Sequence, residues 1–359
     1  MSTDACQIPL HAVALAVALA CTAGPLRAQE KKEPADNAPQ VVVAAVQLEK
    51  VEVTGRHYDN AVGSSDAASQ GVIRSELLKS RPALRPGEVL EFVPGLIVTQ
   101  HSGDGKANQY FLRGFNLDHG TDFATTVNGL PVNMPTHGHG QGYSDLNFLI
   151  PELVDRIEYR KGPYFAKNGD FASAGSADIV YRNTLDAPFA AVTLGERGYR
   201  RGVAAGSFEL MPSIRLLGAV ELQRNDGPWT VPEDLHKTNA VLTLSVGSAT
   251  EGWSASLMGY DARWTSTDQI PQRLIDAGTY NGLHFGRFDS LDPTDGGETR
   301  RSSVSGEWHR QTDAGITKVR WRPMRSTISS SCSPISPTRS NAPRMGTSSR
   351  SRTSAAPMD

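Results

Sequence analysis

The chain has 359 residues, 38% of them hydrophobic, and a nearly balanced charge of 36 Lys and Arg against 38 Asp and Glu. That balance leaves no basic footprint for a nucleic-acid partner, and no apolar run is long enough for a mature transmembrane helix. Outer-membrane strands are not excluded, because alternating apolar and polar residues barely raise the average hydropathy.

Residues 1–28 read as a signal peptide, with an apolar core at Ala12–Ala20 and a small-residue cleavage site at Leu26-Arg27-Ala28. Asp4 is the only charge before Arg27, so the usual basic start is missing. Residues 29–48 are charged and then Pro/Ala-rich, a flexible leader. Two stretches with strand propensity lie here: Val41-Val42-Val43, and the alternating run Leu48–Gly55 that carries Val51 and Val53. The three cysteines, Cys6, Cys21 and Cys332, fall in the signal segment and the tail and define no disulfide framework.

Residues 49–185 alternate short helices with short strands. Ser75–Lys79 and Pro86–Val93 read as helices, the second bracketed by a proline at its start and Pro94-Gly95 at its end. Leu96–Thr99 is a strand. Val127-Asn128-Gly129-Leu130-Pro131 is a tight hairpin signal, since Asn-Gly accepts positive φ at both central positions. A glycine-rich loop follows, Thr136 to Tyr143, and then a strand that closes in Arg156-Ile-Glu-Tyr-Arg-Lys-Gly-Pro163.

From residue 186 to 320 the pattern changes to long alternating strands, near 188–196, 199–208, 213–224, 238–247, 252–264 and 300–309. Ile214, Leu216, Gly218, Val220 and Leu222 share one face, and Arg215, Glu221 and Gln223 the other. Long connections alternate with short ones, the habit of outer-membrane barrels. Trp229, Trp253, Trp264 and Trp308 fall near strand ends, where an interfacial aromatic girdle is expected. Residues 321–359 are rich in Ser, Arg and Pro. They read either as a disordered tail or, better, as the product of a shifted reading frame.

Little here points to covalent chemistry. Gly138-x-Gly140-x-Gly142 does not join a strand to a helix, no nucleophile has a base at a recognisable spacing, and no Cys/His set matches a zinc site. Neither an enzyme nor a cofactor is expected. The acidic group Asp289, Asp292, Asp295 and Glu298 lacks calcium-loop spacing and reads as an exposed loop. His137 and His139 alternate in the glycine-rich loop, with Asp118 and His119 close in sequence. Imidazoles so placed can meet a transition metal or its chelate, or simply satisfy internal hydrogen bonds.

In order, Arg113-Gly114, the Val127–Pro131 hairpin, the loop and Arg156–Pro163 resemble the plug domain of TonB-dependent outer-membrane receptors. The chain departs from that pattern at Ala174-Gly175-Ser176-Ala177, where a double glycine is usual. The resemblance implies an α/β plug, a small mixed sheet with short helices, followed by the first strands of an antiparallel transmembrane β-barrel. It also implies residence in the bacterial outer membrane, with that membrane's lipid around the barrel. Coupling to the TonB protein would run through Val41, Val42 and Val43, or through Val51 and Val53. Energised uptake of a scarce extracellular ligand is implied, foremost a ferric siderophore or other metal complex. The apical loop residues His137, His139, Gln141, Tyr143, Asp118 and His119 would face that ligand. Arg113, Arg156, Glu158, Arg160 and Lys161 would pair with acidic groups of the barrel wall. Six or seven strands fall short of the family's about 22, so the 359-residue product is expected to remain in the periplasm and not to transport. The competing architecture is a secreted or periplasmic binding module built on a β-sandwich.

Overall fold

The computed structural model describes residues 69–81, 83–100, 103–135, 142–248, 250–266, 269–312, 315–321, 324–331 and 351–354. The signal segment, the leader with Val41, Val42, Val43, Val51 and Val53, and the loop residues His137, His139 and Gln141 lie outside the described residues.

The first unit is built on a five-stranded sheet. Its strands are β1 (Gln70–Arg74), β5 (Phe123–Val127), β6 (Leu130–Pro131), β7 (Val154–Lys161) and β8 (Gly175–Tyr181), in the order β1-β7-β8-β5-β6. Only the β5–β8 pairing is parallel. Strands β2 (Leu96–Thr99), β3 (Gln109–Leu112) and β4 (Phe115–Asn116) form a small second sheet. Ser75–Lys79 is the short helix expected. Pro86–Phe92 is instead a 3-10 turn. A Cβ on Gly87 would collide with the Asn108 side chain, so this segment is pressed tightly against the loop before β3.

The Asn128-Gly129 turn has φ of 50° and 72°, as the hairpin signal requires. Asp178 of β8 holds it, accepting from Thr126 Oγ1 at 2.6 Å and from the Gly129 amide at 3.1 Å. In β7 a register shift lies between Val154 and Arg156, so Val154 and Ile157, three apart, both point into the core.

The second unit is one antiparallel sheet. Its long strands are β9 (Phe189–Leu194), β10 (Arg200–Met211), β11 (Ile214–Asn225), β12 (Leu235–Gly247) and β13 (Glu251–Thr265). A small hairpin of β14 (Thr279–Tyr280) and β15 (Leu283–His284) precedes β16 (Gly296–Thr312), β17 (Gly315–Trp321), β18 (Met324–Ser331) and β19 (Ser351–Ser354). Pairing runs through β9-β10-β11-β12-β13-β16, and β17 and β18 take successive halves of β16. They share one register, Gly306 opposite Trp321 and Ser303 opposite Met324, so the ladder continues past the boundary expected at residue 321. Backbone hydrogen bonds are indifferent to the Ser/Arg composition that prompted that boundary.

Alternation decides which side faces what. Leu217, Ala219, Glu221, Asn239, Val241, Met258 and Tyr260 are buried on the inner face, against the first unit. Val192, Leu194, Leu222, Leu257 and Val304 are exposed on the outer one. The nine strands form a single sheet wrapped on a mixed-sheet domain, which rules out the β-sandwich. Short connections join β10 to β11 and β12 to β13 at one end, and the long ones, 226–234 and 266–295, lie at the other.

Trp253 and Trp308 face each other across β13 and β16 on the outer side, as girdle residues should. Trp264 does not join them. It is 8% exposed and packs inward, because its strand position has the parity of Tyr260. Trp229 lies in a loop and donates to Glu233 at 2.6 Å.

Candidate functional site

At the long-loop end, the tip of the first unit is hooked onto the wall. A Cβ on Gly103 would strike the Glu233 carboxylate, and one on Gly105 the Trp264 indole, so only glycine lets this loop approach. Between them, Asp104 accepts from Arg85 Nε at 3.2 Å and from Asn225 Nδ2 at 2.6 Å. The Asp104 amide donates to Glu233 Oε2 at 3.2 Å. Burial, and then the Asp104 charge, push the Glu233 carboxyl above its usual range.

The same tip carries the stem of the His-rich loop. The Met134 amide donates to Tyr143 O and the Gly142 amide to Met134 O, both at 2.8 Å, so the two ends of 135–141 are drawn together. The Ala107 amide donates to the Tyr143 hydroxyl at 3.1 Å. His119 Nδ1 sits 3.1 Å from Ala107 O, and its ring lies 5.4 Å from that of Tyr143.

This corrects two of the expected ligand contacts. His119 is 2% exposed and Tyr143 4%, and both are spent on fastening the stem. Their side chains are the anchors of the loop rather than its ligand face. Asp118 is at the surface beside them, with φ of 45° and its carboxylate 3.8 Å from His119 Nε2. Among the described residues no group of three or more His, Cys, Asp or Glu is placed to hold a metal ion.

A second set of polar contacts fastens the domain to β10, β12 and β16, with Glu221 of β11 bracing it from within the wall. Arg201 donates twice to Glu152, at 2.7 and 2.9 Å, and through Nε to Glu221 at 2.6 Å. Lys237 reaches the other Glu221 oxygen at 3.1 Å. Burial alone would raise the Glu152 carboxyl, but the Arg201 hydrogen bonds and charge outweigh it and hold the group below its usual range. The Asn239 amide donates to Phe148 O. Arg301 Nη2 donates to Pro131 O at 3.0 Å, and the guanidinium stacks 4.3 Å from the Phe148 ring centre.

Four of the five residues expected to bridge to the wall are engaged within the domain instead. Arg156 pairs with Glu158 at 2.9 Å and Asp155 at 3.1 Å, within the domain, although it borders a cavity facing Ser254, Ser305 and Arg320 of the wall. Arg160 lies over the Phe165 ring and Lys161 Nζ is 3.3 Å from Pro94 O. Arg113 occupies the β3–β4 turn with φ of 51°. The charged residues that cross to the other unit are Glu152, Arg201 and Arg301, and Glu221, itself held by Lys237, braces Arg201 from within the wall. Their one sequence signal is a charge at an inward-parity position amid small or apolar neighbours, as with Glu221 two residues from Ala219.

The chain thus seats a mixed-sheet domain on the inner face of an antiparallel wall whose outward residues are apolar. Residues 64–176 match the family model of the TonB-dependent Receptor Plug Domain. The chain is similar in fold to the unliganded ferric citrate transporter FecA, at 16% identity and a TM-score of 0.60 over 76% of this chain and 41% of that one. It is likewise similar to the siderophore receptor PiuA from Acinetobacter baumannii, at 16% identity and a TM-score of 0.53 over 73% and 37% of the two chains. A third likeness is to FpvA of P. aeruginosa in a complex with pyoverdine and iron, at 14% identity and 0.55 over 74% and 35%. The chain thus spans about two fifths of the structures it matches.

Proposed function

We propose that this chain is the plug and first wall strands of an outer-membrane receptor that takes up a scarce metal complex, a ferric siderophore foremost, with energy delivered through TonB. The observation that carries this reading is the apical stem. Met134, Tyr143, His119 and Ala107 hold the ends of the His-rich loop beside a tip that is hooked to the wall under the long loops. His137 and His139 are assigned to the ligand because they belong to the polar, glycine-rich segment between these anchors. Asp118 lies half-exposed beside the stem, its carboxylate 3.8 Å from His119 Nε2. Coupling is assigned to the leader, whose valine runs can add as a strand to a partner sheet.

Ferric citrate and a ferric catecholate are the probes for the test, titrated against the chain in detergent with its tryptophan fluorescence as readout. Replacing His137 and His139 together by alanine is expected to weaken binding about tenfold or more, the loss of one to two charge-assisted contacts. An unchanged affinity in the double variant overturns the assignment of the loop.

A further inference from the structure

Asp145 belongs to the plug, yet it borders a space shared with the wall. A cavity of about 10 Å³, room for a single water, lies among Asp145 and Phe148 of the plug and Tyr260, Thr299 and Arg301 of the wall. Two wall atoms at these residues, Tyr260 Oη and Arg301 Nε, make no hydrogen bond, although the residues are only 2% and 5% exposed. Asp145 is itself buried and accepts from the Asn147 amide at 2.8 Å. A plug carboxyl and a wall guanidinium therefore meet at one small polar pocket in the seam.

The groups around the carboxyl come from both sides. Tyr110 faces it from the plug, with Tyr143 next to it, and Lys237, Tyr260 and Arg301 face it from β12, β13 and β16. Burial dominates and pushes the Asp145 carboxyl up to about 6, against the Asn147 hydrogen bond and the charges of Arg301 and Lys237.

We propose that Asp145 makes the docking of the plug on its wall proton-linked, with the seam tight while Asp145 carries a proton and loosened when it ionises. Undocking gives the carboxyl back to water, where its ordinary value is 3.8. A carboxyl raised in the docked state adds stability that is fully present below that free value and lost as pH rises through about 6. Two pKa steps correspond to ~100-fold in the docking equilibrium. The Glu152–Arg201 pair runs with the opposite sign, since its depressed carboxyl loses its contribution on the acid side. The inference rests on the plug sitting in the wall and not on the identity of the ligand.

Hydrogen exchange on the full chain in detergent micelles tests it, between about pH 4 and pH 7.5 and corrected for intrinsic exchange. Opening of the segments 145–150 and 299–303 is expected to rise up to ~100-fold across that range in the wild type. Asp145→Asn should keep the seam closed throughout and erase this rise. Arg301→Gln, which retains a donor for Pro131 O, should move the midpoint to higher pH because the counter-charge is gone. A pH response that survives in Asp145→Asn, or a midpoint unmoved in Arg301→Gln, overturns the proposal. The histidine variants of the apical loop leave this response unchanged, so failure here and failure of the ligand reading are separable.

Discussion

Arg201→Met tests whether the ion cluster fastens the plug. The substitution keeps most of the side-chain stem and deletes the guanidinium that joins Glu152 of the plug to Glu221 of the wall. Glu221 is 0% exposed, so losing one partner of a buried pair sets an upper range of about 3–5 kcal/mol. Two features lower it. Lys237 still reaches Glu221 at 3.1 Å, and the Glu152 carboxylate is 36% exposed and can be hydrated once released. The expected loss is about 2–3 kcal/mol. Urea unfolding of the chain in detergent micelles measures it, with Trp264, packed against the plug at Gly105, as the fluorescent reporter. The loss should shrink on the acid side. The ordinary value for Glu152 is 4.5 and the docked one is lower, so the contribution is complete above 4.5 and disappears as pH falls through the docked value. A loss within about 0.5 kcal/mol, the range of ordinary surface changes, would show that the cluster contributes no net docking energy.

Gly105→Ala should cost about 1–3 kcal/mol by overpacking against Trp264, and Trp264→Leu in the same chain should restore part of it. Urea midpoints equal to wild type in the single variant would contradict the hooked apex. Tyr143→Phe leaves the buried Ala107 amide without its acceptor and should cost about 1–3 kcal/mol, with the altered exchange confined to the 103–108 and 142–144 segments. In a full-length receptor carrying this segment, proline at Val42, or at Val51 and Val53, should abolish ligand uptake while sparing surface binding, since proline removes a ladder donor. Uptake that persists with proline in both segments excludes the leader as the coupling element.

The wall strands were legible because a residue period of two is imposed by the pleat itself. Ile214–Asn225 and Glu251–Thr265 lie within a few residues of the ranges expected from alternation alone. The Asn128-Gly129 hairpin was legible for a local reason too, the positive φ that both positions adopt. What the chain concealed is pairing over long separations. Asp104 finds Asn225, Phe148 finds Asn239 and Pro131 finds Arg301. None of these can be read from neighbours. The expected charges on β7 were plausible as a set, yet Arg156 and Glu158, two apart on one face of the strand, satisfy each other locally. His119 and Tyr143 misled for the same reason. Composition marks a polar loop, but only the fold shows that these two rings turn inward.

The way β1 is attached has a mechanical consequence. It is an edge strand, paired only with β7, from Gln70 opposite Arg160 to Arg74 opposite Arg156. The Arg156 end lies near the cavity bordered by Glu307 and Arg320, toward the short turns of the wall, and Gln70 lies at the far end. The chain enters β1 at Gln70. Tension on it toward the short-turn side would fold the chain back on itself and open the ladder one rung at a time, beginning with the Lys161 amide's bond to Ser69 O at 2.6 Å. Pulled along the strand in the other direction, every rung would share the load and resist together. Opened in that direction, β1 would be the first strand to leave the sheet, because it alone of the two, β1 and β7, has a single neighbour.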